Sequence, residues 1–323
     1  MIRTALFFVL PCGCLLAACA ASPIRPDVVV AADGSGNFRR VQEAINASPG
    51  VSGPTRPWTI LVKAGAYREL VYVQREKRYL RLVGEGADKT VLGYGLYAAV
   101  AGHDGRPIGT FHTPSTQIDA DDFTAEDVAF ENSAGPRGQA LAIRLDGDRT
   151  VFRRCRFAGW QDTILANRGR HYFAGCAIAG AVDFIFGGAT AWFDHCRIEC
   201  KGTGYIAAPS TPREQPYGFV FADCSIIGAS EAARTYLGRP WRPYGSAIYL
   251  RAVMSSVVRP EGWNNWSQPD REKTARFAEY GGTGPGADPA ARVAWARRLT
   301  AAEAAAITIP RVLGGTDGWA PSP

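Results

Sequence analysis

Four stretches of the chain repeat one arrangement of apolar and polar positions. Phe152-Arg153-Arg154-Cys155-Arg156-Phe157, Phe173-Ala174-Gly175-Cys176-Ala177-Ile178, Phe193-Asp194-His195-Cys196-Arg197-Ile198 and Phe221-Ala222-Asp223-Cys224-Ser225-Ile226 read as the same short strand. Their cysteines lie 21, 20 and 28 residues apart, and the long step leaves room for a Pro-rich loop at 209–216. Residues 123–130, FTAEDVAF, look like an earlier coil of the same kind. A period in the low twenties, built from β-type segments and small turns, predicts an all-β parallel solenoid. Leucine-rich repeats share the period, but their recurring Leu and Asn are absent here.

The ends of the chain follow a different pattern. In residues 38–48, FRRVQEAINAS, Val41, Ala44 and Ile45 fall at helical spacing, which predicts a short amphipathic helix over the open end of the solenoid. Thr300-Ala301-Ala302-Glu303 has the form of a capping box and predicts a helix through Ile307 that closes the other end.

Cysteines in register on neighbouring coils would stack as small buried hydrophobes. A strand spacing of about 4.8 Å also permits disulfides between coils. The pairing of Cys155, Cys176, Cys196, Cys200 and Cys224 stays open at this point. No Cys and His spacing suits zinc, and no metal is expected.

One polar residue breaks the apolar pattern of 180–187, GAVDFIFG. Holding the Asp183 carboxylate there costs several kcal/mol unless partners compensate, so its ordinary reading is a salt-bridged structural residue. Asp162, however, lies 21 residues earlier, which equals the step from Cys155 to Cys176. Gln139 lies 23 residues before Asp162. On a solenoid this register predicts Gln139, Asp162 and Asp183 stacked up one face. Two carboxylates that close divide their roles, one holding a proton and the other its charge. Such a pair can protonate a leaving group and attack or activate water, while an amide donates to an oxyanion. A ladder serving only stability is the alternative.

Residues 1–19 place Arg3 before an apolar run interrupted by Pro11 and Gly13, which reads as an export signal and is too broken for a membrane span. Leu16-Ala17-Ala18-Cys19 has the form of a bacterial lipobox. The expected organisation is therefore a leader at 1–18, a lipidated Cys19 with a linker to 27, and one catalytic domain at 28–323. Ala20 after the cysteine favours an outer-membrane lipoprotein, with the periplasmic face preferred. A net charge of +6 suits an acidic partner or an ordinary solvated surface. No nucleic-acid partner is expected.

Gly65-Ala66-Tyr67-Arg68-Glu69, Gln139-Ala140-Leu141-Ala142, Gln161-Asp162-Thr163, Asp183-Phe184-Ile185-Phe186-Gly187 and Leu237-Gly238-Arg239-Pro240-Trp241 together resemble the ordered motifs of the pectin methylesterases. The likeness implies a right-handed parallel β-helix that demethylates the C6 ester of galacturonate in pectin without metal or organic cofactor; a monomer, acting on pectin or methylated oligogalacturonides, is expected. By matching position it implies Asp183 as nucleophile, Asp162 as acid and then base, Gln139 and Gln161 as oxyanion donors, and Arg239 as the partner of Asp183. It further implies Trp241 and Trp263, with Phe186 and Phe111, as sugar-facing aromatics. The chain departs from the usual pattern at Trp160, Leu165 and 206–209, positions that bear on the groove and not on the chemistry. A polygalacturonate hydrolase or lyase on the same fold, and an esterase homologue acting on another ester, are the competing readings. The absence of a Gly-x-Ser-x-Gly elbow disfavours a serine hydrolase.

Overall fold

The computed structural model describes residues 25–50, 52–230 and 233–322. The leader, Cys19 and most of the expected linker lie outside these residues. The strands wind into a parallel β-helix. An 11-stranded sheet runs from Val28–Val30 to Arg297–Arg298, and every pair along it is parallel. A second, 13-stranded sheet has two limbs. One contains Gly65–Arg68 and Arg156–Ala158; the other contains Val71–Val73, Ile143–Leu145 and Ile164–Ala166. Both limbs join at the long strand Ala177–Gly187.

The repeated Phe-x-x-Cys segments occupy the bend between the two sheets. Arg154, Gly175, His195, Asp223 and Arg251 each take a left-handed backbone there, with φ between 50° and 59°. The chain turns sharply at that residue, so the next side chain is fully enclosed. A small residue fits, which accounts for Cys155, Cys176, Cys196 and Cys224 at 0–1% exposure. Their thiols donate to main-chain carbonyls of the preceding coil, as from Cys196 to Phe173 O at 3.4 Å and from Cys224 to Phe193 O at 3.4 Å. All five cysteines are free and buried, so the disulfides left open above are not formed.

Phe152, Phe173, Phe193, Phe221 and Tyr249 pair in register on successive coils. Their rings stack at centroid separations of 5.0, 4.6, 4.6 and 4.4 Å. These distances follow from strand spacing, which brings identical ring faces into contact on each turn. Truncating one such ring, as in Phe193→Ala, leaves a cavity expected to cost about 3–5 kcal/mol.

The N-terminal helix spans Val41–Ala47 and buries Val41, Ala44 and Ile45 as expected. It starts later than its pattern indicates because Phe38 is held in a parallel bridge with Val30, and Arg40 at the N-cap supplies no side-chain cap. Glu69, 28 residues on, accepts from the Val41 and Gln42 amides at 2.9 and 3.1 Å. At the other terminus the capping box forms between Thr300 and Glu303, but the helix is only Ala301–Ala305, followed by Ile309–Leu313. This tail does not close the solenoid, contrary to the expectation. Val312 and Leu313 lie on the outer side of the 11-stranded sheet, in one cluster with Tyr172, Trp192 and Val220. Apolar outward residues on those strands attract the tail sideways. Val293, Trp295 and Ala296 instead pack against the last turn of the core.

Candidate active site

Strand pairing brings the two aspartates together. Ile164 pairs with Ile185 and Leu165 with Phe186, so the 21-residue offset read from the sequence is the true register. Asp162 and Asp183 both have left-handed backbones, at φ 63° and 50°. On the next strand Val182 faces Tyr205 while Ile185 faces Ala207, so the aspartate strand carries one extra residue in a bulge. Bulges re-aim side chains. Phe184 goes fully into the core, while Asp183 meets Arg239.

The glutamines take a different column from the one expected. Gln139 pairs with Gln161, and Gln161 with Val182, so Gln139 does not stack on Asp162. The 23-residue spacing overestimates the offset, which is 22 at Gln139 and 21 from Ile143 onward. Two half-buried amides therefore stand beside two buried carboxylates. Neither amide side chain is hydrogen-bonded to another described residue, which leaves both free to donate.

Arg239 follows the strand Thr235–Gly238, and its amide donates to Ala207 O at 2.9 Å. Its guanidinium grips Asp183 by two bonds, Nε to Oδ1 at 2.8 Å and Nη2 to Oδ2 at 2.6 Å. Burial raises the Asp183 pKa, and the guanidinium opposes that rise. Asp162 has no such partner among the described residues. Burial first, and the neighbouring Asp183 charge second, push its pKa up to about 8, with Arg239 offsetting part of the rise. Near neutral pH Asp162 holds its proton while the arginine favours the charged form of Asp183. One acid and one anion stand on adjacent coils.

An apolar cluster of Leu141, Leu165, Phe186 and Ala208 lies on this outer face, with Trp241 and Trp266 packed against it. Phe186 is 4% exposed and meets Trp241 edge to face at 5.7 Å, so it forms floor more than wall. Phe111 is exposed on the short turn Thr110–His112, and its carbonyl accepts from Arg144, the register neighbour of Leu165. A separate hollow of about 500 Å³ near the C-terminal end is lined by Glu279, Arg292 and Arg297 and by none of these groups.

Residues 27–316 match the family model described as Pectinesterase. The chain belongs to the pectinesterase family. Pectinesterase 31 of Arabidopsis thaliana is 41% identical over 283 residues, 86% of this chain and 89% of that protein. The pectin methylesterase from carrot superposes with a TM-score of 0.85 at 32% identity, covering 91% of this chain and 95% of that one. A pectin methylesterase mutant solved with a hexasaccharide gives a TM-score of 0.79 at 28% identity, covering 93% and 100%. Among longer plant relatives, the chain spans 42% of putative pectinesterase/pectinesterase inhibitor 28 from Arabidopsis thaliana. The solenoid is thus a right-handed parallel β-helix of a carboxylic ester hydrolase family whose substrate is methylated pectin. This favours the esterase over the hydrolase and lyase readings, and family membership is consistent with export.

Of the pectinesterase site residues named from the sequence, Trp263 does not reach the groove. It is 1% exposed, pairs with Gly238 and stacks on Phe277 at 4.3 Å. Gly238 shares its register column with Ala207 and Ile185, whose side chains face the core, and alternation turns Trp263 inward with them. The absent Gly238 side chain leaves room for its ring, since a Cβ there would sit 3.3 Å from Trp263. The tryptophan on the groove side is Trp266, three residues later, and the sequence reading missed it. Tyr205 was missed as well. Only the bridge of Trp263 to Gly238 and the contact of Trp266 with Arg239 distinguish the two tryptophans. Asp194, His195 and Asp223 form a metal-capable trio on the bend, away from this site, but Arg251 already grips Asp223 and Tyr172 donates to Asp194.

Proposed function

We propose that the protein hydrolyses C6 methyl esters of galacturonate by double displacement at Asp183 and Asp162. An Asp183 oxygen attacks the ester carbonyl, and the Gln139 and Gln161 amides donate to the resulting oxyanion. As the C–OCH₃ bond breaks, Asp162 gives its proton to the methoxide, releasing methanol and leaving an anhydride on Asp183. Asp162, now charged, takes a proton from water while the hydroxide attacks the same carbon. Collapse frees galacturonic acid, which gives its proton to solvent and leaves as the carboxylate, and restores charged Asp183 and protonated Asp162.

The observation that carries this reading is the division of the pair, with Asp183 held by a bidentate arginine and Asp162 pushed to about 8 beside it. Both are under a tenth exposed, which limits competing water at the reacting carbonyl. Trp241 and Phe186, with Phe111 further along the face, offer apolar surface for sugar rings. Methanol release from methylated polygalacturonate tests the activity, with no new reducing ends and no unsaturated product. Gln139→Ala is expected to lose roughly a hundredfold in kcat while folding normally. Full activity in that variant would remove Gln139 from the chemistry.

We infer further that the enzyme acts as a monomer tethered by lipid at Cys19, in an outer membrane and facing the periplasm. The support is the lipobox form of 16–19. Whole pectin is too large for that compartment, so the natural substrates are methylated oligogalacturonides. Labelled fatty acid should enter the wild-type precursor and not Cys19→Ala. A wholly soluble, unlabelled wild type would overturn the tether, and higher kcat/KM on polymer than on short oligomers would overturn the substrate preference.

A further inference from the structure

The Arg239 guanidinium lies between two aromatic rings. Its central carbon is 3.8 Å from the centroid of Tyr205 and 3.7 Å from that of Trp266. Tyr205 in turn stacks on Tyr236 at 5.4 Å with an interplanar angle of 11°. The result is a continuous pile of planar groups, Tyr236, Tyr205, Arg239 and Trp266, in which the edge of the arginine meets Asp183. Strand register builds one side of it, since Tyr205 pairs with both Val182 and Tyr236. The other side depends on an unusual backbone. Trp266 has φ 62° and Ser267 φ 53°, a left-handed pair that a bulky residue adopts only under constraint. The Trp266 amide donates to Asn264 Oδ1 at 2.8 Å, which holds the loop in this form.

We propose that Tyr205 and Trp266 are positioning residues for the reaction: their rings clamp the Arg239 guanidinium so that it serves Asp183 and not Asp162. This rests on the assignment of those two carboxylates given above. With both faces covered by rings, the guanidinium can form hydrogen bonds only from its edge, and its plane is set by the rings. The fork therefore stays aligned with the Asp183 carboxylate. Asp162 sits one strand spacing away, close enough to draw a loosened arginine. An arginine shared between the two would lower the affinity of Asp162 for its proton and raise that of Asp183. Both limbs of the pH profile would then move toward each other, an effect that loss of a mere sugar contact does not produce.

Trp266→Leu and Tyr205→Leu should each lower kcat about tenfold or more with KM within about twofold, and narrow the kcat/KM pH profile by roughly a unit in total. Trp266→Phe and Tyr205→Phe should recover most of the rate and the wild-type width, because a ring face is what the guanidinium needs. If leucine inside the Tyr205 strand prevents folding, Trp266→Leu, on a loop, carries the test. Unmoved pH limbs in the leucine variants, with any loss confined to KM, would overturn the clamp. Asp183→Asn is the control for the underlying chemistry. Methanol release from that variant would overturn the carboxylate assignment, whereas an inactive Asp183→Asn beside unaffected leucine variants would overturn the clamp alone.

Discussion

Two arginine–aspartate pairs in this molecule have nearly the same geometry and opposite electrostatic outcomes. Arg251 grips Asp223 at 2.7 and 2.6 Å, and Arg239 grips Asp183 at 2.8 and 2.6 Å. Both aspartates have left-handed backbones, at φ 55° and 50°. Yet the pKa of Asp223 is lowered, chiefly by its bonds to Arg251, while that of Asp183 is raised by burial despite its arginine. The difference is access to water. Side-chain exposure is 49% and 30% for the bend pair, against 18% and 7% for the groove pair. Fork geometry alone does not define a reactive carboxylate. Desolvation does, together with a second carboxylate on the next coil.

The strongest way to break this comparison is to neutralise both aspartates in turn. Asp183→Asn should reduce kcat for methanol release by at least about a thousandfold, since an amide cannot act as the nucleophile. Asp223→Asn should leave kcat within about twofold, with a stability loss under about 1 kcal/mol. Equal effects on turnover would mean that burial does not distinguish the pairs.

A second test uses pH. Asp162 has a pKa of about 8 in the folded state, whereas an unperturbed aspartate titrates near roughly 3.9. Between those values the folded state keeps a proton that the unfolded chain has lost, so the stability Asp162 contributes falls as pH rises through the window. Asp162→Asn should therefore be nearly inactive, yet more stable than wild type by on the order of 3 kcal/mol near pH 7.5, with the gain shrinking toward pH 4. Urea unfolding at the two pH values measures it, and a pH-independent difference would refute the assignment. Asp223 should behave oppositely. Its depressed pKa adds stability above the unfolded value that is lost on acidification through the folded one. In the wild-type rate profile, kcat/KM should fall above about pH 8 as Asp162 ionises, and should fall on the acid side as Asp183 takes up a proton.

The smallest expected effect sharpens the same contrast. Arg251→Gln should cost under about 1 kcal/mol, and 1 M salt should erase most of that difference, because an exposed pair is screened. Arg239→Gln should abolish most activity at any salt concentration. Salt-independent loss at Arg251 would show the bend pair to be less solvated than its exposure indicates.

Periodicity made most of this legible in the chain. A repeat of 20–21 residues with Phe and Cys at constant offsets allows only one kind of stacking, and the same count that aligned Cys155 with Cys176 aligned Asp162 with Asp183. Composition in the repeats follows from local geometry, with a small residue after the left-handed turn of each bend from Arg154 to Arg251 and a flat ring on the inner face of each coil from Phe152 to Tyr249. Motif order supplied Arg239, which lies 56 residues from Asp183 and could not have been found from spacing. Tertiary structure decided what depends on a single residue of register. An offset of 22 where the spacing suggests 23 puts Gln139 on Gln161, and a bulge opposite Ile206 sets Asp183 outward with Phe184 inward. Alternation along the strand then sent Trp263 into the core and left Trp266 against Arg239. Such offsets are invisible in one dimension, because an inserted residue changes no local preference and yet exchanges the inward and outward faces of all that follows.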